Sequence, residues 1–286
     1  MRKEFESTVA DATRAIELND KDANSYRFRG LGRMQLKDFT NALADFDEAI
    51  FLNHGDAESL AGRGGVKLVQ GDLEGAENDL AMATHLNPTN LMAKMNLGFI
   101  KKKRGDLEGA LAVFTNATAT MSAFGMPALY LTVGHLQYDL HQDAAAMQSL
   151  HKVLELDPSK NYARFRIWLI RARLGEQQVA SQELRVQIEA SPENPGHEWE
   201  SCIGHFLAGD LVETNFLAQA ITTARRPTDK NGQLCEARYY AGMKRLLAGD
   251  KTGARELLEQ CVATHEENYV EYTSAVVELR GLNKFH

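Results

Sequence analysis

Residues Ala57–Asn90 read AESLAGRGGVKLVQGDLEGAENDLAMATHLNPTN, and this stretch decides the fold. Its first half carries Leu60, Gly64 and Leu68 at helical spacing. A Gly71-Asp72 break follows, and the second half carries Leu73, Ala76, Leu80, Ala83 and Leu86 before Asn87-Pro88. Apolar residues three or four apart make one face of a helix sticky. Glycine just past a helix adopts the left-handed backbone that closes it, and aspartate at the next helix start accepts free backbone N–H groups. Two helices this short cannot bury such a face alone. They need copies of themselves on either side.

The copies recur with a period of 34 residues. Gly71, Gly105, Gly175, Gly209 and Gly249 hold the break, and Asp72, Asp106, Asp210 and Asp250 follow four of them. Ala42, Ala76, Ala110, Ala146, Ala180 and Ala254 hold one position of the second helix, with Ala49, Ala83 and Ala117 seven residues later. Gly30, Gly64, Gly98, Gly134 and Gly242 hold the small position of the first helix, and Pro88, Pro158 and Pro192 close their repeats. A 34-residue helix–turn–helix unit with small residues at these places resembles the tetratricopeptide repeat. Phe46 and Phe114 match that family's aromatic position in the second helix (helix B), and Tyr26 and Tyr130 match the one opening the first (helix A). Arg29 and Arg63 depart from the family's leucine, and Trp168 and Cys202 from its glycine. The resemblance implies an all-α solenoid coiled as a right-handed superhelix.

The expected organisation is a single solenoid over residues 1–286. A half repeat at 5–19 matches helix B: Phe5, Ala15, Ile16, Leu18 and Asn19 lie 34 residues before Phe39, Ala49, Ile50, Leu52 and Asn53. Starting inside a repeat suggests a cut from a longer protein, with a lone capping helix as the other account. Repeats follow at 23–56, 57–90, 91–126, 127–160, 161–194, 195–234 and 235–268, with two extra residues near Phe124-Gly125. The polar segment Arg225–Gly232 reads as a loop and internal flex point. Residues 269–283 place Val270, Tyr272, Val276 and Leu279 on one helical face, suited to capping the last repeat. The stretches NYARFRIWLIRARLGE (161–176), YYAGMKRLLAGDKTGA (239–254) and NYVEYTSAVVEL (268–279) are similar to the C-terminal repeats of bacterial tetratricopeptide lipoproteins, which implies a scaffold role.

Composition narrows the function. The formal net charge of −7 argues against nucleic-acid binding. No apolar run is long enough to span a membrane, and the start MRKEFE lacks the apolar core of a signal peptide. The expected compartment is therefore the cytoplasm, or the periplasm if a signal sequence lies upstream. The three cysteines cannot make a full disulfide framework. Cys202 and Cys261 fall on packing positions and are expected as buried thiols, and Cys235 opens the last repeat, where it could approach Cys261 but is not expected to bond to it.

No chemistry-bearing constellation emerges. Gly30-Leu31-Gly32 and Gly62-Arg63-Gly64-Gly65 lack the further Gly and Lys of a phosphate loop. Metal-ligand spacings are missing, and His54, His85 and His265 sit at or near repeat ends. Acidic residues recur because Gly-Asp is a turn-and-cap device, so they do not converge on one bond. No catalytic residue, cofactor or metal is expected.

The resemblance directs attention to helix A, whose second, fifth, ninth and twelfth positions line a concave groove in the family. Here those positions hold Met92, Met95, Phe99, Leu131, His135, Tyr138, Tyr162, Phe165, Leu169, Trp199, Ile203, Phe206, Tyr239 and Met243. Some of these must pack between repeats, but a stripe so rich in aromatic and Met side chains suggests a partner surface. Arg166 and Arg173, seven apart beside it, could clamp carboxylates with paired hydrogen bonds. The basic run Lys101-Lys102-Lys103-Arg104 equally suits a helix C-terminus. The family's carboxylate clamp is absent, because its places hold Arg27, Leu31, Ala61, Gly62 and Gly65. The leading expectation is a non-enzymatic adaptor binding a protein or peptide segment with apolar anchors and acidic groups. The alternatives are a homodimerising structural element and a regulatory fragment of a larger protein.

Overall fold

The computed structural model describes residues 2–118, 126–190, 198–224 and 226–283. The expected insertion at Phe124-Gly125 and the repeat-closing Pro192 lie outside them. The described residues form sixteen α-helices and no β-strand. Their contacts group the chain into two compact units, residues 1–121 and 122–286.

The first unit holds α1 (Arg2–Leu18), α2 (Ala23–Gln35), α3 (Phe39–Leu52), α4 (Ala57–Gln70), α5 (Leu73–Leu86), α6 (Leu91–Lys103) and α7 (Leu107–Thr118). Thus Ala57–Asn90 is the helix pair α4–α5. The small positions have a steric cause. A Cβ on Gly30 would come within 2.9 Å of Phe46, on Gly64 within 2.7 Å of Leu80 and on Gly98 within 3.0 Å of Phe114, the large residue sixteen positions later in each repeat. Helix B therefore drives one bulky side chain against the backbone of helix A. Ala42, Ala76 and Ala110 are fully buried at the same contact.

The breaks work as read. Gly71 and Gly105 have φ of 86° and 81°. Asp72 and Asp106 accept the backbone N–H of Gly75 and Gly109 at 2.9 and 2.8 Å. Two repeats lack the glycine, and there Lys37 (φ 64°) and His141 (φ 56°) adopt the same left-handed backbone.

Arg29 and Arg63, the departures from the family leucine, also have a cause. Arg29 makes a forked pair with Asp45 at 2.8–3.1 Å, and Arg63 does so with Asp79 at 2.6–2.8 Å, each sixteen residues on. Arg33 and Lys67 add a second cation to the same carboxylates at 2.7 and 2.8 Å. Asp45 and Asp79 are buried, so two adjacent repeats share an ionic contact between their helices where leucine would otherwise pack.

The second unit holds α8 (Met126–Asp139), α9 (Asp143–Leu156), α10 (Asn161–Arg173), α11 (Gln177–Glu189), α12 (Glu198–Ala208), α13 (Glu213–Thr222), α14 (Pro227–Leu247), α15 (Lys251–Val262) and α16 (Val270–Asn283). Two expectations are corrected here. Of the supposed loop Arg225–Gly232, the part from Pro227 on is the start of α14. Proline is well placed in a first helical turn, where its missing N–H would have no partner. Gly232 suits this place because a Cβ there would lie 2.0 Å from the Tyr269 hydroxyl and push that side chain aside. Asp210 follows its glycine yet is no cap. Its carboxylate is taken by Arg185, with His205 at 3.4 Å, and α13 starts without a side-chain cap.

In both units, successive A helices touch one another and successive B helices do not, so each stack curves towards its A helices. In the first unit these are α2, α4 and α6. In the second they are α8, α10, α12 and α14, and the curl is tight enough for α10 also to touch α14. Helix α16 packs on α15, burying Leu257 and Leu258 as a cap should, and continues across to α8.

Candidate partner-binding surface

The inner face of the second unit is filled. His135, Tyr138, Phe165, Arg166, Trp199, Ile203, Phe206 and Tyr239 are buried, with Leu169 and Met243, while Leu131, Tyr162 and Arg173 are half-buried. The sequence expectation of an aromatic partner surface, set on repeats three to six and running on to Tyr239 and Met243, is corrected on these positions from repeat four onward. On α12 the cover includes Phe216 of α13, on which Trp199 and Phe206 stack, and around Arg166 it comes from α16. Arg166 is wholly buried, its guanidinium 4.8 Å from the ring centres of both Tyr138 and Tyr239 and 3.6 Å from Glu271. Glu271 also accepts the Tyr240 hydroxyl at 3.0 Å, and Ser274 donates to Asp139 at 2.6 Å. Arg173 pairs with Asp143, approaches Glu278 at 4.0 Å and lies over Tyr138 at 4.8 Å. The acidic, partly apolar helix expected of a partner is supplied by the chain itself.

A second polar knot lies nearby. Glu236, 3% exposed, accepts hydrogen bonds from Tyr162 Oη at 2.7 Å and Trp199 Nε1 at 2.5 Å. Burial, joined by the charge of Glu271, pushes its carboxyl up to about 8, against the pull of those two donors. Burial likewise raises Glu278, and pushes the Tyr138 hydroxyl up to about 12. Trp199 stacks on Phe216 at 5.3 Å and Phe206 on Phe216 at 4.1 Å. These groups brace the unit.

The first unit keeps its inner face open at α6. Met92 and Phe99 are 36% and 38% exposed, seven residues apart, with half-buried Met95 between them on the same side. Phe99 is held edge-on against buried Phe114 with ring centres 5.0 Å apart. The facing positions of α4 are small. Ala61 is buried, and a Cβ on Gly65 would lie 3.2 Å from Asn96 Nδ2 of α6. Beyond them on α2 stand half-buried Leu31 and Arg27, the latter paired with Asp56 at 3.3 Å and Glu58 at 3.0 Å and lying 5.1 Å from the half-exposed ring of Phe28. On α4, therefore, Ala61 is covered and Gly65 lies close under Asn96, which leaves Met92 and Phe99 of α6 as the exposed apolar pair. In the basic run, Lys101 pairs with Asp106 and Arg104 with Glu77.

A cavity of about 230 Å³ opens between α9, α10 and α11. Its wall includes Trp168, which stands where other repeats have glycine, and Arg171, already paired with Glu176 and Glu183. Among the described residues no group of three His, Cys, Asp or Glu could hold a metal ion, and no helix is long and apolar enough to cross a membrane.

Comparison with known proteins places the fold. No family model matches the sequence. Among solved structures, a tetratricopeptide repeat protein from Parabacteroides merdae is similar with a TM-score of 0.60 and 15% identity, over 89% of this chain and 98% of that one. YrrB, described as a TPR protein with an unusual peptide-binding site, is similar with a TM-score of 0.55 and 22% identity, over 70% of this chain and 96% of its own. PilF of Pseudomonas aeruginosa reaches 0.53 at 13% identity, over 91% and 98%.

Proposed function

The chain has the tetratricopeptide-repeat fold, and from that premise we propose that it is a non-catalytic protein-interaction scaffold whose first unit holds a partner segment. The observation that carries this reading is the exposure of Met92 and Phe99 on the inner side of α6. Aromatic and Met side chains on a rigid helix offer large, adaptable contact area. The likeness to YrrB supports peptide binding as the mode, since that protein is described as having a peptide-binding site.

The partner on this reading is an extended or helical segment with apolar anchors about one or two helical turns apart. An acidic requirement is not part of it, because Arg166 and Arg173 already face Glu271 and Glu278. The test is selection of peptides from a displayed random library on the full chain. Selected peptides should share apolar anchors and bind Met92→Glu at least tenfold more weakly, with the helical circular dichroism intact. Peptides indifferent to Met92→Glu and Phe99→Glu would place binding elsewhere.

A further inference from the structure

Cys235 of α14 and Cys261 of α15 are both fully buried, and their sulfur atoms lie 3.2 Å apart. They are free thiols at this distance. Cys261 also points its sulfur at the backbone carbonyl of Glu271, 3.9 Å away on α16. The pair therefore sits where the last three helices meet, one residue from Glu236 and beside the helix that fills the inner face. Cys202 is half-buried on α12.

We propose that Cys235 and Cys261 are a peroxide-oxidisable dithiol whose disulfide locks the last repeat under α16. A disulfide needs the two sulfurs to close from contact distance to about 2.05 Å, a movement of roughly one ångström that side-chain rotation supplies. The chemistry balances with one peroxide. The thiolate of one cysteine attacks a peroxide oxygen, breaking the O–O bond, and gives a sulfenic acid and hydroxide. The second thiol displaces hydroxide from that sulfenic sulfur to form the S–S bond, so two thiols and one hydrogen peroxide give one disulfide and two waters. Hydrogen peroxide is small enough to enter through the local openings that packed helices undergo, whereas a bulkier disulfide oxidant such as glutathione disulfide would need the helices to part. Burial and the neighbouring sulfur hold the Cys261 thiol well above its ordinary range. Attack by Cys261 is accordingly slow at neutral pH and speeds up as pH rises. Oxidation would close a loop spanning α14 and α15, narrowing the unfolded ensemble of this repeat.

The test treats the native full chain with hydrogen peroxide, quenches by alkylation in denaturant and maps tryptic peptides. The expected product links residues 231–238 to 256–280 and is lighter by two hydrogens than the two thiol peptides together. The melting temperature of the second unit should rise by roughly 5 °C and return on reduction with dithiothreitol. Cys202→Ser should leave the product unchanged. Full alkylation of both Cys235 and Cys261 after peroxide has oxidised Cys202 would overturn the proposal, as would a cross-link made through Cys202. Should Cys261→Ala fold poorly, the linked peptide in the unmodified chain still decides the matter.

Discussion

Arg166 of α10 and Glu271 of α16 face each other at 3.6 Å with neither side chain more than 2% exposed. Seven residues further along each helix, Arg173 and Glu278 repeat the relationship at 4.0 Å near the edge. Two arginines one heptad apart thus meet two glutamates one heptad apart. Arg166 does not depend on Glu271 alone, because two tyrosine faces and the Tyr239 hydroxyl surround its charge.

Arg166→Met should destabilise the second unit by about 3–5 kcal/mol, since it leaves the Glu271 carboxylate buried without its cation. Hydrogen exchange should accelerate in residues 270–283 and in α8. Residues 23–103 should be unaffected, because coupling in repeat stacks runs between neighbours. Unchanged protection of α16 would show that its apolar contacts alone hold it.

In the first unit, Asp79→Leu alone should cost about 3 kcal/mol by taking the buried carboxylate from Lys67 and from Arg63, which keeps only Asp47 at 2.7 Å. Adding Arg63→Leu to Asp79→Leu should recover part of that loss, because packed apolar groups often replace a buried ion pair without loss, while Lys67 still lacks its carboxylate. Urea unfolding of the parent and the two variants checks this. A double variant as weak as the single would mean that the ionic contact is needed for the fold.

The repeat frame was legible because sterics wrote it. Gly30, Gly64 and Gly98 must be small where Phe46, Leu80 and Phe114 approach, so the period appears in the sequence as plainly as in the structure. The turn at Lys37 was not legible from its residue, since lysine gives no sign of a left-handed backbone. The start of α14 was misread because its proline and glycine act inside a helix, and only Tyr269, far along the chain, reveals why Gly232 is there. The partner wall was half legible. Its chemistry was right for an acidic, apolar helix, but helical periodicity cannot say that such a helix is Val270–Asn283 of the same chain.

Lys37→Gly should stabilise the first unit by up to about 1 kcal/mol. Lys37 is exposed and its φ of 64° strains any residue with a Cβ. Chemical denaturation measures the change. A loss of stability would mean that the lysine stem contributes more than its backbone costs.

The second unit should lose stability as pH rises from about 4.3, the ordinary glutamate value, to about 8, the value Glu236 has when folded. In that window the folded state holds a proton that the unfolded state has released. The stabilising contribution is complete below the window and gone above it. Glu236→Gln should flatten this slope in thermal melts taken at several pH values. A slope unchanged by the substitution would assign the dependence to another group.

Binding at the exposed Met92–Phe99 pair of α6 is tested most directly by methyl resonances of methionine in the full chain, labelled with carbon-13, during titration with a library-selected peptide. Met92 and Met95 should shift or broaden in step with binding, while Met147 and Met243 of the second unit stay in place. Shifts at Met147 or Met243 with Met92 and Met95 silent would contradict binding on the inner face of the first unit.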